Sequence, residues 1–420
     1  MIFALLLQLS STAFAQSLPE IVVEAGSKSV PVAVPLPVGA DADQAKRMRA
    51  VIERDLDLSG YFELVSPDAF LETSSAGVSP GEFDFADWRV IKAAVLAKTR
   101  ITSTPDGLQV DLYVYDVNAG NKLIGKRFTG TADQTRYLGH KVADAILLAV
   151  TGKPGFFGSQ VLAVGTRTGT KEIYIMDMDG AGVQPVTHNG SINLSPAWSP
   201  DGQQVAWTSY KRGNPDAYVK DLASGRTRVL SNQPGINSGV AFSPDGKQVA
   251  LARTTQGDAD IYVLDAASGK VVNQLTKGGG IDVAPDFSPD GQVVVYSSER
   301  SGGSQIYAQN LLTGETWRVT HQGGFNFDPV LSPDGKQVAY VGRDKNFDVF
   351  VCGLDGRNNQ RVTQGQGNNE DPSWSPDGRY LLFASTRSGR SSIWLSTADG
   401  RNQVRVTPDG EWFQPTWSPR

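Results

Sequence analysis

Ser199-Pro200-Asp201-Gly202 returns at residues 243–246, 288–291, 332–335 and 375–378, and begins again at Ser418-Pro419. Successive serines stand 44, 45, 44, 43 and 43 residues apart. A fixed period in this range marks a repeat architecture. The tetrapeptide suits a type I turn, with Ser first, Pro second and Gly fourth. Trp198, Phe242, Phe287, Leu331, Trp374 and Trp417 precede the serines. Pro196, Pro285, Pro329, Pro372 and Pro415 stand two residues earlier still, with Val240 as the exception.

After each turn comes a short apolar run, such as Val205-Ala206-Trp207 or Val338-Ala339-Tyr340, and then a polar tip. A third strand recurs, as in Ile173-Tyr174-Ile175, Ile261-Tyr262-Val263 and Ile393-Trp394-Leu395. A fourth ends in Val186-Thr187, Leu230-Ser231, Leu275-Thr276, Val319-Thr320, Val362-Thr363 and Val406-Thr407. Four short strands per unit is the content of a propeller blade. No 3.6-residue period runs through the unit, which excludes a helical solenoid. Five units are complete. Residues 160–187 supply the last three strands of a unit and residues 414–420 the first. Joined, they make a sixth blade and remove two exposed sheet edges. The expected fold is therefore a six-bladed β-propeller over residues 160–420, closed by the C-terminal strand.

Residues 16–152 lack the repeat. Ile21-Val22-Val23, Val32-Ala33-Val34 and 62–65 read as strands. Ala45, Met48, Ile52 and Leu56 recur at helical spacing before Gly60. A helix is expected from Trp88 to Leu96, a strand from Val110 to Val117, and a last helix through Leu138, Val142, Ala145 and Ala149. This is an α/β domain, with residues 153–159 as the hinge to the propeller. Ahead of it, residues 1–14 are largely apolar and end in Ala13-Phe14-Ala15, a cleavage pattern for a secretory signal peptide spanning residues 1–15. The run is too short to span a bilayer. The mature chain is expected to be exported without inserting in a membrane.

Composition narrows the chemistry. The 420 residues include 45 glycines and carry a formal charge of −5. Mild acidity argues against a nucleic-acid partner. Cys352 is the only cysteine, which excludes an internal disulfide and a cysteine-rich zinc site. His140, His188 and His321 are far apart, leaving little for histidine-based catalysis or metal binding. Gly77-Val78-Ser79-Pro80-Gly81 matches G-x-S-x-G, but a nucleophile elbow needs a preceding apolar strand. Here Ser74-Ser75-Ala76 precedes it, and a surface turn is the better reading. Asp177-Met178-Asp179-Gly180 is too short for a calcium loop and lacks the later glutamate. No catalytic, cofactor or metal site is expected.

Blade topology leaves a surface. The tips after the second strands share one face with the links between blades, and the Ser-Pro-Asp-Gly turns lie on the other. The links carry Asn193, Asn237-Ser238, Asp282, Asn326-Phe327-Asp328, Asn368-Asn369-Glu370-Asp371 and Trp412-Phe413. The tips carry Arg167, Lys211-Arg212, Arg253, Arg300, Arg343 and Arg387. Charges ringing Phe325, Phe327, Trp412 and Phe413 suit a protein interface. A competing reading pairs each arginine with a neighbouring blade's aspartate.

An α/β domain followed by this propeller resembles the TolB family, periplasmic components of the Tol-Pal system. Residues 16–38, Arg136-Tyr137-Leu138-Gly139-His140-Lys141-Val142-Ala143-Asp144 and Thr151-Gly152-Lys153-Pro154-Gly155-Phe156-Phe157 carry the resemblance beyond the repeat. It implies a monomeric, non-enzymatic periplasmic scaffold acting in envelope integrity and cell division. It implies that the propeller binds the peptidoglycan-associated lipoprotein at positions falling near Ile236, Asn237, Ser238 and Gly239, and near Asp282, Val283 and Ala284. It implies that Gln16, Ser17, Leu18, Pro19, Glu20, Ile21, Val22, Val23 and Glu24 bind TolA of the inner membrane. The other reading is a propeller enzyme. A peptidase would need a hydrolase domain beyond Arg420, and a lyase would need clustered histidines or metal ligands.

Overall fold

The computed structural model of the chain describes residues 30–72 and 76–419. The expected signal peptide, the strand at Ile21-Val22-Val23 and the TolA-binding segment at residues 16–24 lie outside the described residues.

The N-terminal domain is a five-stranded sheet in the order β2-β1-β3-β4-β5. Its strands are β1 (Val30–Ala33), β2 (Phe62–Leu64), β3 (Val95–Thr104), β4 (Gly107–Asp116) and β5 (Asn121–Gly130). β1 runs parallel to β2 and β3, and β3, β4 and β5 form an antiparallel meander. Helix α1 (Ala42–Ser59) starts where the Asp41 carboxylate accepts from the N–H groups of Asp43 and Gln44, at 3.1 and 2.9 Å. It ends at Gly60, whose φ of 72° only glycine adopts without strain. Helix α2 (Phe85–Val90) is short. Helix α3 (Thr135–Thr151) packs beside α1 over the sheet, burying Leu138, Val142 and Ile146.

The helix expected from Trp88 to Leu96 is not formed. α2 stops at Val90, Lys92 adopts a φ of 60°, and Val95-Leu96-Ala97 enters the sheet as β3. A strand buried on both faces is continuously apolar, so periodicity cannot separate it from a buried helix. The reading also passed over β5, an edge strand whose exposed Lys122, Lys126 and Arg127 show little alternation.

The propeller has six four-stranded sheets. We number the blades from the innermost strands: one (Asn193–Trp198), two (Asn237–Phe242), three (Asp282–Phe287), four (Asn326–Leu331), five (Asn369–Trp374) and six (Trp412–Trp417). The strand of blade six pairs with Gln160–Gly165, with Trp412 opposite Gly165 and Trp417 opposite Val161. This is the closure expected from the repeat count. A Cβ on Gly165 would lie 2.8 Å from the Trp412 ring, so glycine there makes room for the closing tryptophan.

The turn reading also holds. In Ser199-Pro200-Asp201-Gly202 the Gly202 N–H donates to Ser199 O at 2.9 Å, closing the turn. The Ser199 hydroxyl donates to Asp201 at 2.5 Å and accepts from Gln204 N at 2.8 Å. The same serine–aspartate pair recurs at Ser243, Ser288, Ser332 and Ser375.

The N-terminal domain sits against the turn face of blades five and six. Tyr380 donates its hydroxyl to Ser59 O at 2.8 Å, and Asn402 donates to Leu58 O at 3.2 Å. Residues 153–159 place Phe156 and Phe157 in the same core, with the Phe156 ring 4.6 Å from Tyr380 and 5.4 Å from Trp417. Among the described residues, the opposite, link face is left clear of this packing.

Candidate partner-binding face

Every innermost strand enters from the link face and bulges at its third residue. Ser195, Gly239, Ala284, Asp328, Asp371 and Gln414 all have φ between 47° and 67°, and the pairing register shifts there. A bulge re-aims side chains. It turns these residues and those two positions on toward a central channel of about 580 Å³. Channel-lining groups stitch adjacent blades. Asp286 accepts from Leu331 N at 2.8 Å, Asp371 from Gln414 N at 3.1 Å, and Gln414 from Ser195 N at 2.8 Å.

The channel is acidic along one side. Burial pushes the Asp286 carboxyl up to about 6. Burial, then the charges of Asp371, Glu370 and Asp286, pushes Asp328 up to about 8. Asp371 rises to about 6 through burial, held back by the Gln414 N–H. Lys171 lies near Asp371 and sits over the Phe413 ring at 4.7 Å.

The structure divides the residues expected on the link face. Asn193, Asn237, Asp282, Asn326 and Asn369 are fully buried and cannot reach a partner, contrary to their expected role. Their side chains pin the links from beneath. Asn193 donates to Glu172 at 2.8 Å and accepts from Trp207 Nε1 at 3.1 Å. Asn326 donates to Gln305 and Asn369 to Asp348, at 2.9 and 3.0 Å. The same acceptors bind the hydroxyls of Thr187, Thr320 and Thr363, which explains the recurrent Val-Thr ending. The signal for this latch was present but unread: Glu172, Asp216, Asp260, Gln305 and Asp348 stand at or near the start of the third strands at the repeat period.

Ser238, Val283, Phe327, Glu370 and Phe413 are half-buried at the channel mouth, and Gly239, Ala284, Asp328 and Asp371 follow them inward. Trp412, expected as an aromatic anchor, is wholly buried against Tyr174. Exposed apolar side chains stand just before the innermost strands, Ile236 and Phe325 among them as expected. Ile192, Ile236, Ile281 and Phe325 are 37–46% exposed, forming an apolar arc over blades one to four. Blades five and six carry Asn368 and Glu411 there. Phe325, Phe327 and Phe347 touch in sequence, the first pair tilted and the second edge-on, with centroids 5.5 and 5.4 Å apart.

The tip arginines bind within their own blades. Arg300 reaches Asp282 at 3.2 Å, and Arg387 donates to Asn369 at 2.9 Å. Arg253 and Arg343 lie over Tyr262 and Phe347, at 5.0 and 5.5 Å. Elsewhere, Gly77 to Gly81 is a turn in which Glu82 accepts from the N–H groups of Val78 and Ser79, both at 2.8 Å. His188 and His321 are exposed.

A family model described as the TolB beta propeller domain matches residues 148–420, and one described as the TolB amino-terminal domain matches residues 20–123. The chain belongs to the TolB family. The Tol-Pal system protein TolB of Geobacter metallireducens is 39% identical over 168 residues, 40% of this chain and 39% of that protein. Its counterpart in Anaeromyxobacter dehalogenans strain 2CP-1 is 37% identical over 210 residues, 49% of this chain and 48% of the relative. The matched stretch thus spans less than half the length of these curated relatives. The crystal structure of TolB from Acinetobacter baumannii superimposes with a TM-score of 0.83 at 28% identity, covering 95% of this chain and 99% of that one. The two-domain fold is therefore a TolB fold. Among the described residues, no helix is long and apolar enough to cross a membrane.

Proposed function

We propose that this chain is a non-enzymatic periplasmic scaffold that joins TolA at the inner membrane to the peptidoglycan-associated lipoprotein at the outer membrane. The observation that carries the reading is the contrast between the propeller's two faces. The turn face of blades five and six is covered by the N-terminal domain, while the link face presents the arc of Ile192, Ile236, Ile281 and Phe325 around an acidic mouth. Exposed apolar anchors inside a polar rim are what a specific interface requires.

Isothermal titration with the soluble lipoprotein domain tests it. Phe327→Ala and Ile236→Asp are expected to weaken binding at least tenfold, about 1.4 kcal/mol. Asp290→Ser, in a turn on the opposite face, is expected to leave affinity unchanged. Equal affinities for all three proteins would place the interface elsewhere.

Residues 16–24 are proposed as a second, separate site. Gln16-Ser17 is polar and Ile21-Val22-Val23 is β-prone, a composition suited to adding a strand to a partner sheet. Removing residues 16–24 is expected to abolish TolA binding and to leave lipoprotein binding intact. Unchanged TolA affinity in the shortened chain would eliminate the segment. Coupling between the sites, if present, must act in both directions, so saturating lipoprotein should shift TolA affinity by the factor at which TolA shifts lipoprotein affinity.

A further inference from the structure

His140 lies where the two domains meet, 3% exposed, and its ring faces both. On the N-terminal side, Nδ1 is 2.7 Å from Asp55 of α1, a carboxylate with no exposure. On the propeller side, Nε2 is 3.7 Å from Asp177, which ends the third strand of blade six. Arg136, one turn earlier on α3, spans the same boundary. It donates to Asp177 at 3.0 Å and to Asp179 at 2.8 and 2.7 Å. Asp144, one turn later on α3, faces the pair from the third side. Lys141 lies beside Asp144 at the edge of this group, with its ammonium over the Tyr137 ring at 5.2 Å.

Asp55, Asp144, Asp177 and Asp179 thus surround His140 and Arg136, with Lys141 beside Asp144. A neutral imidazole would set an Nε2 lone pair or a weakly charged N–H toward Asp177. An imidazolium donates to Asp55 and attracts Asp177, so the arrangement favours the charged ring. We propose that His140 is a proton-dependent latch between the domains: its imidazolium binds Asp55 within the N-terminal domain and Asp177 on the propeller, and loss of its proton frees the domains to separate. The apolar contact of Phe156 with Tyr380 and Trp417 does not depend on pH. The charged cluster makes domain docking proton-sensitive.

The direction of the proton equilibrium agrees with the geometry. Burial alone would lower His140, but the nearby Asp177 carboxylate and the hydrogen-bonded Asp55 outweigh this and raise it to about 10. Asp55 is raised to about 7, chiefly by burial. Both groups hold protons more tightly in the folded state than in the unfolded one. The His140 contribution is complete below pH 6.5, and is lost as pH rises toward 10.

Three readouts test the latch in the full chain. The His140 imidazole resonance, assigned by its absence in His140→Gln, is expected to stay at its protonated position from pH 5 to 8. The melting temperature of the parent is expected to fall between pH 7 and 10 more steeply than that of His140→Gln. Chymotrypsin cleavage after Phe156 and Phe157, which are buried while the domains are docked, is expected to rise about tenfold in Asp177→Asn, as a docking equilibrium weakened by about 1.4 kcal/mol requires. Asp177→Asn cuts the cross-domain contact from the propeller side and leaves the Asp55–His140 pair in place, so it serves if His140→Gln fails to fold. An imidazole that titrates below pH 7 would overturn the latch. So would parallel melting curves, parent-rate cleavage of Asp177→Asn, or a pH profile abolished by a metal chelator.

Discussion

A chain shortened by residues 412–420 should not form a stable propeller. The strand Trp412–Trp417 is the innermost strand of blade six, and it pairs in register with Gln160–Gly165. Its loss exposes the edge of blade six and removes the contact that closes blade five onto it. Trp412 is wholly buried against Tyr174, and Trp417 is 6% exposed. Trp417 also donates from Nε1 to Ser159 at 2.6 Å and meets Phe156 edge-on, so it reaches the segment that joins the domains. Truncating a buried tryptophan costs about 3–5 kcal/mol. Two such losses plus a bared edge exceed much of the ~5–15 kcal/mol stability of an ordinary protein. The expected result is aggregation, with loss of near-ultraviolet circular dichroism. A truncated chain that melts within a few degrees of the parent would show that the ring does not depend on this closure. The single change Trp412→Ala should destabilise by about 3–5 kcal/mol and keep the fold.

This closure was legible because it depends on counting. Ser-Pro-Asp-Gly encodes a local turn whose serine and aspartate bond to each other and to nearby backbone, so neighbours in sequence are neighbours in space. The helix expected from Trp88 to Leu96 failed for the opposite reason. Val95-Leu96-Ala97 is apolar because both faces of the strand are covered, Val95 and Ala97 in the core under α1 and α3 and Leu96 in the core beneath Trp88, and local pattern does not report what covers each face.

The candidate face was legible in outline and misread in detail. Link position gave the face on which these residues lie, but not which side chains turn outward. Asn193, Asn326 and Asn369 look like surface amides in sequence. Their carboxamides turn inward because Glu172, Gln305 and Asp348 offer acceptors about 21 residues earlier, on the third strand of the preceding blade. The preceding isoleucines and Phe325 are displaced outward in consequence. The His140 cluster was hidden for the same reason: Asp55, His140 and Asp177 come from α1, α3 and blade six, and no spacing joins them.

The channel acids yield the last prediction. Asp286, Asp328 and Asp371 belong to three consecutive blades, and the bulge in each innermost strand aims them into one space. All three carboxyls are raised, Asp328 most, to about 8. A raised carboxyl binds its proton more tightly in the folded state, so its contribution to stability diminishes as pH climbs from about 4 toward 8. The turn aspartates Asp201, Asp245, Asp290 and Asp334 are shifted down by their serines, so their contribution is lost only as pH falls below the ordinary carboxylate range. The two sets therefore act in different windows. Asp328→Asn keeps the shape, removes one charge facing Asp371, Glu370 and Asp286, and should raise stability at pH 8. A tenfold tighter hold on a proton corresponds to about 1.4 kcal/mol, and an open channel screens part of the repulsion, so the gain should be on the order of 2–3 kcal/mol. At pH 4.5, where the parent already holds that proton, the two proteins should melt together. Melting curves that stay parallel from pH 4.5 to 8.5 would show that the carboxylates do not repel one another. Part of the cost of burying these acids is offset where Asp286 and Asp371 accept the Leu331 and Gln414 N–H groups and so tie one blade to the next.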